Sequence, residues 1–183
     1  MTEGNWRGFE TSFAGPPKAE AAYKIDIDDE TIKVSFMSPL PAFYDTPYEP
    51  SEFIEGLWRW DCGEFWLFNP ATGRYLEFNL SPTGAKWACV FVSPRVRADG
   101  TPPPKTRTEA WPGPNGWVAT ISIRHEEIQR CLGPSDGLRA NATIILGGCP
   151  DEDPPLENLH SAVPLGAVDF HRPQDWVPLT KLI

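Results

Sequence analysis

Two runs of alternating apolar and polar residues, joined by a short turn, lie between residues 56 and 80. The turn reads Asn-Pro-Ala-Thr-Gly at 69–73, and a second turn, Ser-Pro-Thr-Gly at 81–84, leads into a third run that ends at Phe91. Successive side chains of a β-strand point to opposite faces of the sheet, so an alternation of period two is typical of strands. Asn, Pro and Gly favour the tight turns between them. The stretch 56–91 therefore predicts three consecutive strands, around which the rest of the chain is organised.

One face of this predicted sheet combines carboxyl groups with aromatic rings. Glu64 shares its face of the first strand with Trp66, and Glu77 shares its face of the second strand with Asn79. The other face of both strands is apolar and carries Phe65, Leu67, Leu76, Phe78 and Leu80. Proteins bind sugars with such surfaces, because flat rings stack on the C–H faces of a pyranose and charged or amide groups hydrogen-bond to its hydroxyls.

The same residues also have a purely structural interpretation. Trp58 and Trp66 would then be core residues, and Glu64 and Glu77 would be solvated groups at a sheet edge. From the residue types alone this packing interpretation is the more common one, since aromatic side chains are buried more often than they bind ligands. Glu64 and Glu77 could also act as acid and base in glycoside hydrolysis, an alternative that nothing else in the sequence supports.

The rest of the chain also favours short strands. Its 21 Pro and 15 Gly residues indicate many turns and few long helices. Further strands are predicted at 21–27, 31–38, 117–124 and 138–147, an edge strand or strap at 1–17, and long Pro-rich loops at 39–55 and 95–116. The single helix is predicted at 125–132, where Gly133-Pro134 ends it. We therefore expect one all-β domain spanning 1–183, an antiparallel β-sandwich (jelly-roll or immunoglobulin-like) with one short capping helix. The loop at 39–55 is expected to help wall a site.

Charge and hydropathy restrict the partners. The formal net charge is −9 and there is no basic cluster, which disfavours nucleic acid. No apolar run approaches the length of a membrane helix, so no membrane partner is expected, and no signal peptide is visible. We expect a cytoplasmic protein, with secretion as the open alternative.

The four cysteines lack Cys-x-x-Cys spacing and are expected to be reduced thiols, a Cys62–Cys89 disulfide being the alternative.

Metal and haem sites have little support. The acidic turn Asp28-Asp29-Glu30 lacks calcium-loop spacing and is better explained as a solvated hairpin tip, although calcium stays open as a cofactor. The three histidines, His125, His160 and His171, show no zinc-ligand spacing. Met37 with one of them could clamp a haem, a weak argument that leaves haem disfavoured.

Two motifs together resemble a known family. The first motif consists of Leu57-Trp58, Asp61, Glu64, Leu67, Tyr75, Glu77-Phe78-Asn79, Ser81-Pro82, Gly84 and Trp87, and the second is Asp169-Phe170-His171-Arg172-Pro173 near the C-terminus. In these residues the chain resembles the carbohydrate-binding module family 9-like domains of the wider DOMON-like group. Because the motifs lie far apart in the chain, the resemblance covers most of it.

The resemblance implies a jelly-roll-like β-sandwich in which two aromatic rings enclose a terminal sugar. These rings fall on Trp58 and on Phe170, and Glu64 falls where a carboxylate binds hydroxyls. The other motif positions that complete the implied ligand-binding set are Asp61, Glu77, Asn79, His171 and Arg172. Two positions depart from the family: Phe170 stands where sugar-binding members tend to have Trp, and Glu77 where they have a basic residue. Structural calcium occurs in the family, but its ligands have no identifiable counterparts here.

These observations predict a non-catalytic protein that binds a small saccharide or the end of a polysaccharide. Trp58 and Phe170 should form opposite walls of one open cleft, with carboxylates at its floor. A haem-binding redox domain of the DOMON type and a glycoside-processing enzyme using Glu64 and Glu77 are the alternatives.

Overall fold

The computed structural model describes residues 5–17, 20–134, 136–149 and 151–183. In this part of the chain thirteen strands are found. In chain order they are β1 (Arg7–Gly8), β2 (Thr11–Ser12), β3 (Ala22–Ile27), β4 (Thr31–Ser38), β5 (Cys62–Asn69), β6 (Arg74–Leu80), β7 (Lys86–Ser93), β8 (Val96–Arg97), β9 (Thr106–Gly113), β10 (Gly116–Arg124), β11 (Arg139–Ile145), β12 (Leu159–Ser161) and β13 (Val177–Pro178).

The strands pair antiparallel in two sheets. The five-stranded sheet has the order β1-β3-β4-β10-β9. The eight-stranded sheet has the order β2-β12-β11-β5-β6-β7-β8, and β13 pairs with β11 beside this path. The three strands predicted between residues 56 and 91 are β5, β6 and β7, which are consecutive neighbours in the eight-stranded sheet. This confirms the predicted antiparallel β-sandwich.

The main core lies between the two sheets and follows the predicted alternation. From the five-stranded sheet it receives Val34, Phe36 and Ile121, and from the eight-stranded sheet Phe65 and Leu76, all of them at most 1% exposed. Every second residue of each strand points into this layer, so the apolar face of the period-two pattern is the face that is removed from water.

The predicted helix is confirmed as α1 (His125–Leu132), with Ile128 and Leu132 buried in the core. The turn between β5 and β6 supplies hydrogen-bond donors to the C-terminal end of this helix. The side chains of Asn69 and Thr72 both donate to the Leu132 carbonyl, at 3.0 and 2.9 Å. Gly133 ends the helix with φ 84°, a left-handed value that favours glycine.

The prediction of a loop at 95–116 is wrong, because β8 and β9 lie within it. β9 is the outer strand of the five-stranded sheet, and among the described strands it pairs with β10 alone. Most of its side chains are therefore partly or fully exposed, and the sequence shows no apolar alternation. Pro112 is compatible with an edge strand, which does not need every backbone N–H as a donor.

The four cysteines are free thiols, as expected, and Cys62 and Cys89 do not form a disulfide.

Gly63 of β5 offers a direct test of the packing between the sheets. A methyl group at this position would overlap the ring of Phe36 on the facing sheet. We expect Gly63→Ala to lower the free energy of unfolding by about 1–3 kcal/mol, since overpacking of a filled core costs this much. Gly8→Ala is the matched control, because a methyl group on β1 meets no atom within 4 Å. Equal denaturation midpoints for the two variants would contradict the tight contact.

Candidate functional site

The outer face of the eight-stranded sheet, which points away from the main core, is also largely covered. A 3₁₀ turn at Leu57–Arg59 and a C-terminal segment at 164–176 lie over it. The side chains buried in this layer form a second hydrophobic cluster, which we call the outer cluster: Leu57, Cys62, Trp66, Tyr75, Ala85, Trp87, Phe91 and Trp176. A cleft of about 460 Å³ remains open within this layer. This volume lies in the range of small-molecule sites.

Both predicted aromatic residues line this one cleft. Trp58 comes from the 3₁₀ turn and packs edge-on against Trp87, with ring centroids 5.7 Å apart. Phe170 comes from the C-terminal segment and contacts Phe13 at 5.3 Å and Trp66 at 6.4 Å. Trp58 and Phe170 are both half-buried. Each ring is therefore held in place by neighbouring aromatic side chains and keeps part of its surface accessible to a ligand.

Glu64 and Glu77 lie at the floor of the cleft, on the adjacent strands β5 and β6. In the register Glu64 faces Asn79 and Glu77 faces Trp66, so the two carboxyl residues are diagonal neighbours on one face. Glu64 is 3% exposed and Glu77 is 5% exposed. The interpretation of these residues as solvated edge groups is therefore wrong: they belong to central strands and are covered by the outer cluster.

Each carboxyl group has one oxygen held by a protein donor. The Thr143 hydroxyl donates to Glu64 Oε2 at 2.8 Å, and Trp66 Nε1 in turn donates to the Thr143 oxygen at 2.9 Å. The Asn79 amide donates to Glu77 Oε1 at 3.1 Å. These bonds fix the orientation of both carboxyl groups.

Burial favours the protonated form of both carboxyl groups. It raises the pKa of Glu64 to about 7, although the hydrogen bond from Thr143 acts in the opposite direction. Burial also raises the pKa of Glu77 well above its usual value, and the nearby Glu64 charge raises it further. Two close carboxyl groups shielded from water favour sharing protons over ionising together.

His171 closes the floor beside Glu77. Its Nδ1 lies 2.7 Å from the Tyr75 hydroxyl oxygen, which also accepts a hydrogen bond from the backbone N–H of Arg95 at 3.1 Å. Its Nε2 is 3.6 Å from Glu77 Oε2, too far for a hydrogen bond. Burial, followed by the Arg95 charge, lowers the pKa of His171 to about 4, so the ring is neutral at pH 7. Burial also raises the pKa of Tyr75, so its hydroxyl stays protonated and hydrogen-bonds to Nδ1.

Two arginines lie at the rim, and both are paired with carboxylates. Arg95 lies 2.8 Å from Asp169. Arg97 forms an ion pair with Glu55, and its guanidinium carbon lies 5.2 Å from the centre of the Trp87 ring. These ion pairs are largely exposed and contribute little to stability. They do, however, leave each rim arginine paired with a carboxylate of the protein.

Five of the eight predicted site residues line the cleft: Trp58, Glu64, Glu77, Phe170 and His171. Asp61, Asn79 and Arg172 are not among the lining residues. Asp61 accepts backbone hydrogen bonds from Phe43 at 3.0 Å and Gly147 at 2.6 Å, and so joins two loops. Asn79 is fully buried beside Glu77, and Arg172 pairs with Asp175 in the C-terminal segment. These three residues support the elements that carry the cleft.

Several lining residues were not predicted from the sequence. Trp66 and Trp87 follow the alternation and could have been assigned to the cleft face from it. Phe13, Arg95 and Arg97 lie outside any periodic pattern, and no sequence signal indicates them. The loop at 39–55 does not line the cleft; Asp45, Tyr48 and Glu55 line a neighbouring depression of about 430 Å³ that also contacts Trp58.

The expected calcium and haem alternatives gain no geometric support. Among the described residues, no group of three or more His, Cys, Asp or Glu side chains is arranged to hold a metal ion. The Asp28 carboxylate accepts backbone hydrogen bonds from Glu30 and Thr31, at 2.9 and 2.7 Å, and so closes its own hairpin. Met37 pairs with Ala22 in the five-stranded sheet, on the far side of the eight-stranded sheet from His171. These two residues therefore cannot both coordinate one haem iron.

In the part of the chain that the structure describes, no helix is both long and apolar enough to cross a membrane.

No protein-family profile matches this chain, and no curated protein matches it significantly. Solved structures do. A candidate carbohydrate-binding protein from Bacteroides uniformis ATCC 8492 aligns with a TM-score of 0.67 at 16% identity, over 94% of this chain and 84% of that one. A carbohydrate-binding module of family 9 from Caldicellulosiruptor kristjanssonii, in complex with glucose, aligns with a TM-score of 0.60 at 11% identity, over 94% and 81%.

A second structure of a family 9 module from Caldicellulosiruptor kristjanssonii, in complex with cellotriose, aligns with a TM-score of 0.56 at 10% identity, over 87% of this chain and 72% of that one. Identities this low establish the shared architecture alone. The chain therefore has the β-sandwich fold of the carbohydrate-binding modules of family 9, as the sequence resemblance predicts.

Proposed function

We propose that this protein is a non-catalytic carbohydrate-binding protein that takes a monosaccharide or the terminal residue of an oligosaccharide. The cleft on the outer face of the eight-stranded sheet is its binding site. Trp58 and Phe170 provide apolar ring surfaces for the C–H faces of the sugar. Glu64, Glu77 and His171 provide the polar atoms that bind its hydroxyls.

The observation that carries this proposal is the convergence of half-buried aromatic rings and buried polar groups in one cleft. Trp58 and Phe170 are 112 positions apart in the sequence and nevertheless line the same cavity. The polar groups of the floor are oriented by Thr143, Asn79 and Tyr75, so a ligand meets them already in place. Preorganisation of this kind raises affinity, because little side-chain freedom is lost on binding.

The family 9 structures support the choice of ligand class. One is a complex with glucose and another is a complex with cellotriose. The present chain shares their architecture, and its cleft has the aromatic and hydroxyl-binding groups that a pyranose requires.

Isothermal titration calorimetry with a panel of mono- and disaccharides tests the proposal. The protein concentration should be high enough to detect a dissociation constant of about 1 mM, which corresponds to about −4 kcal/mol. We expect heat of binding for at least one sugar, with one site per chain. Absence of heat across the whole panel, amino sugars included, would rule out the proposed function.

Trp58→Ala should weaken the binding of the best sugar in the panel about 10-fold or more. The indole provides ring surface in the cleft, and each factor of ten corresponds to about 1.4 kcal/mol of lost contact. Trp111→Ala is the control, because Trp111 is 58% exposed on β9 of the other sheet. Calorimetric titration of the two variants measures the difference. Equal affinities would show that the sugar binds elsewhere than against Trp58.

A further inference from the structure

The buried carboxyl pair has hydrogen-bonding capacity that the protein does not use. Glu64 Oε2 and Glu77 Oε1 receive hydrogen bonds, whereas Glu64 Oε1 and Glu77 Oε2 receive none from the described residues. Both side chains are more than nine-tenths buried and line the cleft. Neither oxygen is among the atoms sealed from solvent, so a donor from a ligand in the cleft can reach both of them.

The charges around the cleft favour a cationic donor. Its lining includes four acidic side chains, Glu64, Glu77, Asp153 and Asp169, and two basic ones, Arg95 and Arg97. Both arginines are already paired at the rim, with Asp169 and with Glu55. Among the residues that the structure describes, no lysine lines the cleft. A floor carboxyl group that ionises therefore has no paired cation among the described residues, which favours a cationic ligand.

The aromatic lining also suits a cation. Trp58, Trp66, Trp87, Phe91 and Phe170 all border the cleft that contains the two glutamates. The faces of aromatic rings attract cations, most strongly in the case of Trp and when water is excluded. A positive group on the ligand would therefore be stabilised both by the carboxyl oxygens and by the surrounding rings.

We propose that the preferred ligand is an amino sugar, bound with its protonated amine against the free oxygens of Glu64 and Glu77 and its ring against Trp58 and Phe170. This inference rests on the proposed function and adds the class of sugar to it. An ammonium group has three N–H donors, enough to reach both free oxygens and one further acceptor. A hydroxyl group has a single O–H donor and can satisfy only one of them.

Binding of the ammonium should release a proton. In the free protein the pair holds at least one proton near neutral pH, because the pKa of Glu77 lies well above its usual value. A carboxyl group that accepts from an ammonium is more stable ionised, so its proton leaves to solvent as the ligand enters. The titratable and charged groups that face the pair are Cys62, Tyr75, Cys89, Arg95, Arg97, Asp153, Asp169 and His171.

The test compares methyl glucosaminide, methyl N-acetylglucosaminide and methyl glucoside by calorimetry at pH 6.5, where the free amine is mostly protonated. We expect the glucosaminide to bind at least 10-fold more tightly than the other two. Titrations in two buffers with different protonation enthalpies should show about one proton released per glucosaminide and none per glucoside. The N-acetyl derivative separates charge from size, since it keeps the nitrogen but carries no positive charge.

Glu64→Gln and Glu77→Gln should bring the ratio of glucosaminide to glucoside affinity close to one, whatever happens to the absolute affinities. Glu109→Gln removes the same charge from the exposed face of β9 and should preserve the ratio. Glucoside binding equal to glucosaminide binding in the natural protein, or no proton release, would overturn the amino-sugar inference and leave the proposed function standing. Failure of all three sugars to bind would overturn both.

Discussion

Trp176→Ala should lower the free energy of unfolding by about 3–5 kcal/mol, the range expected when a large aromatic side chain is removed from a filled core. The Trp176 side chain is fully buried. Its ring contacts those of Trp66 at 5.5 Å, Tyr75 at 5.5 Å and Phe68 at 6.4 Å. Removing the ring leaves a cavity in the centre of the outer cluster. The paired strands on one side of this cavity cannot move in to fill it.

The indole nitrogen of Trp176 has no hydrogen-bond partner among the described residues, so its contribution comes from packing. Trp176→Phe should therefore be clearly less destabilising than Trp176→Ala. Trp111→Ala, on the exposed side of the other sheet, should change stability by less than about 0.5 kcal/mol. Chemical denaturation of the three variants gives these values. A loss below about 1 kcal/mol for Trp176→Ala would mean that the C-terminal segment is not docked as described.

Glu64→Gln should stabilise the protein increasingly as the pH rises. Burial raises the pKa of Glu64 from its usual value near 4.5 to about 7, so between these values the native protein holds a proton that the unfolded chain has released. The native state is then progressively disfavoured as pH increases, up to about pH 7, beyond which the effect is constant. A shift of this size corresponds to roughly 3 kcal/mol. Glutamine is always neutral, so Glu64→Gln does not have this pH-dependent loss of stability.

The measured quantity should be the difference in free energy of unfolding between Glu64→Gln and the natural protein, at pH 4.5 and at pH 8. The total pH profile is less informative, because burial lowers the pKa of His171 and that effect has the opposite sign over much of the same range. We expect the difference to grow by about 3 kcal/mol from low to high pH. Glu109→Gln should show no such growth. A pH-independent difference for Glu64→Gln would show that Glu64 is not a buried acid.

The sandwich could be predicted from the sequence because the relevant signals are local. The alternation in 62–69 and 74–80 and the turn between them determine which side chains share a face, and the structure confirms that Glu64 and Glu77 lie on neighbouring strands. Strand β9 was not predicted, because an exposed edge strand does not need an apolar face.

The burial of the carboxyl pair could not be predicted in the same way. It depends on residues 164–176, which follow β6 by more than eighty positions and cover the sheet face that local alternation marks as polar. Trp66 is accordingly buried, as the packing interpretation expected, whereas Trp58 is half-buried. Arg95, Arg97 and Phe13 reach the cleft only through tertiary structure, so no pattern in their own segments indicates them.

The C-terminal segment is anchored at both sides of Phe170. Asp169 pairs with Arg95 and His171 bonds to Tyr75, while Trp176 is buried and β13 continues onto β11. The wall that carries Phe170 therefore cannot swing away without breaking native contacts. Its conformational entropy is lost when the chain folds rather than when a ligand arrives, so recognition in this cleft should proceed as a lock-and-key encounter without a separate slow rearrangement.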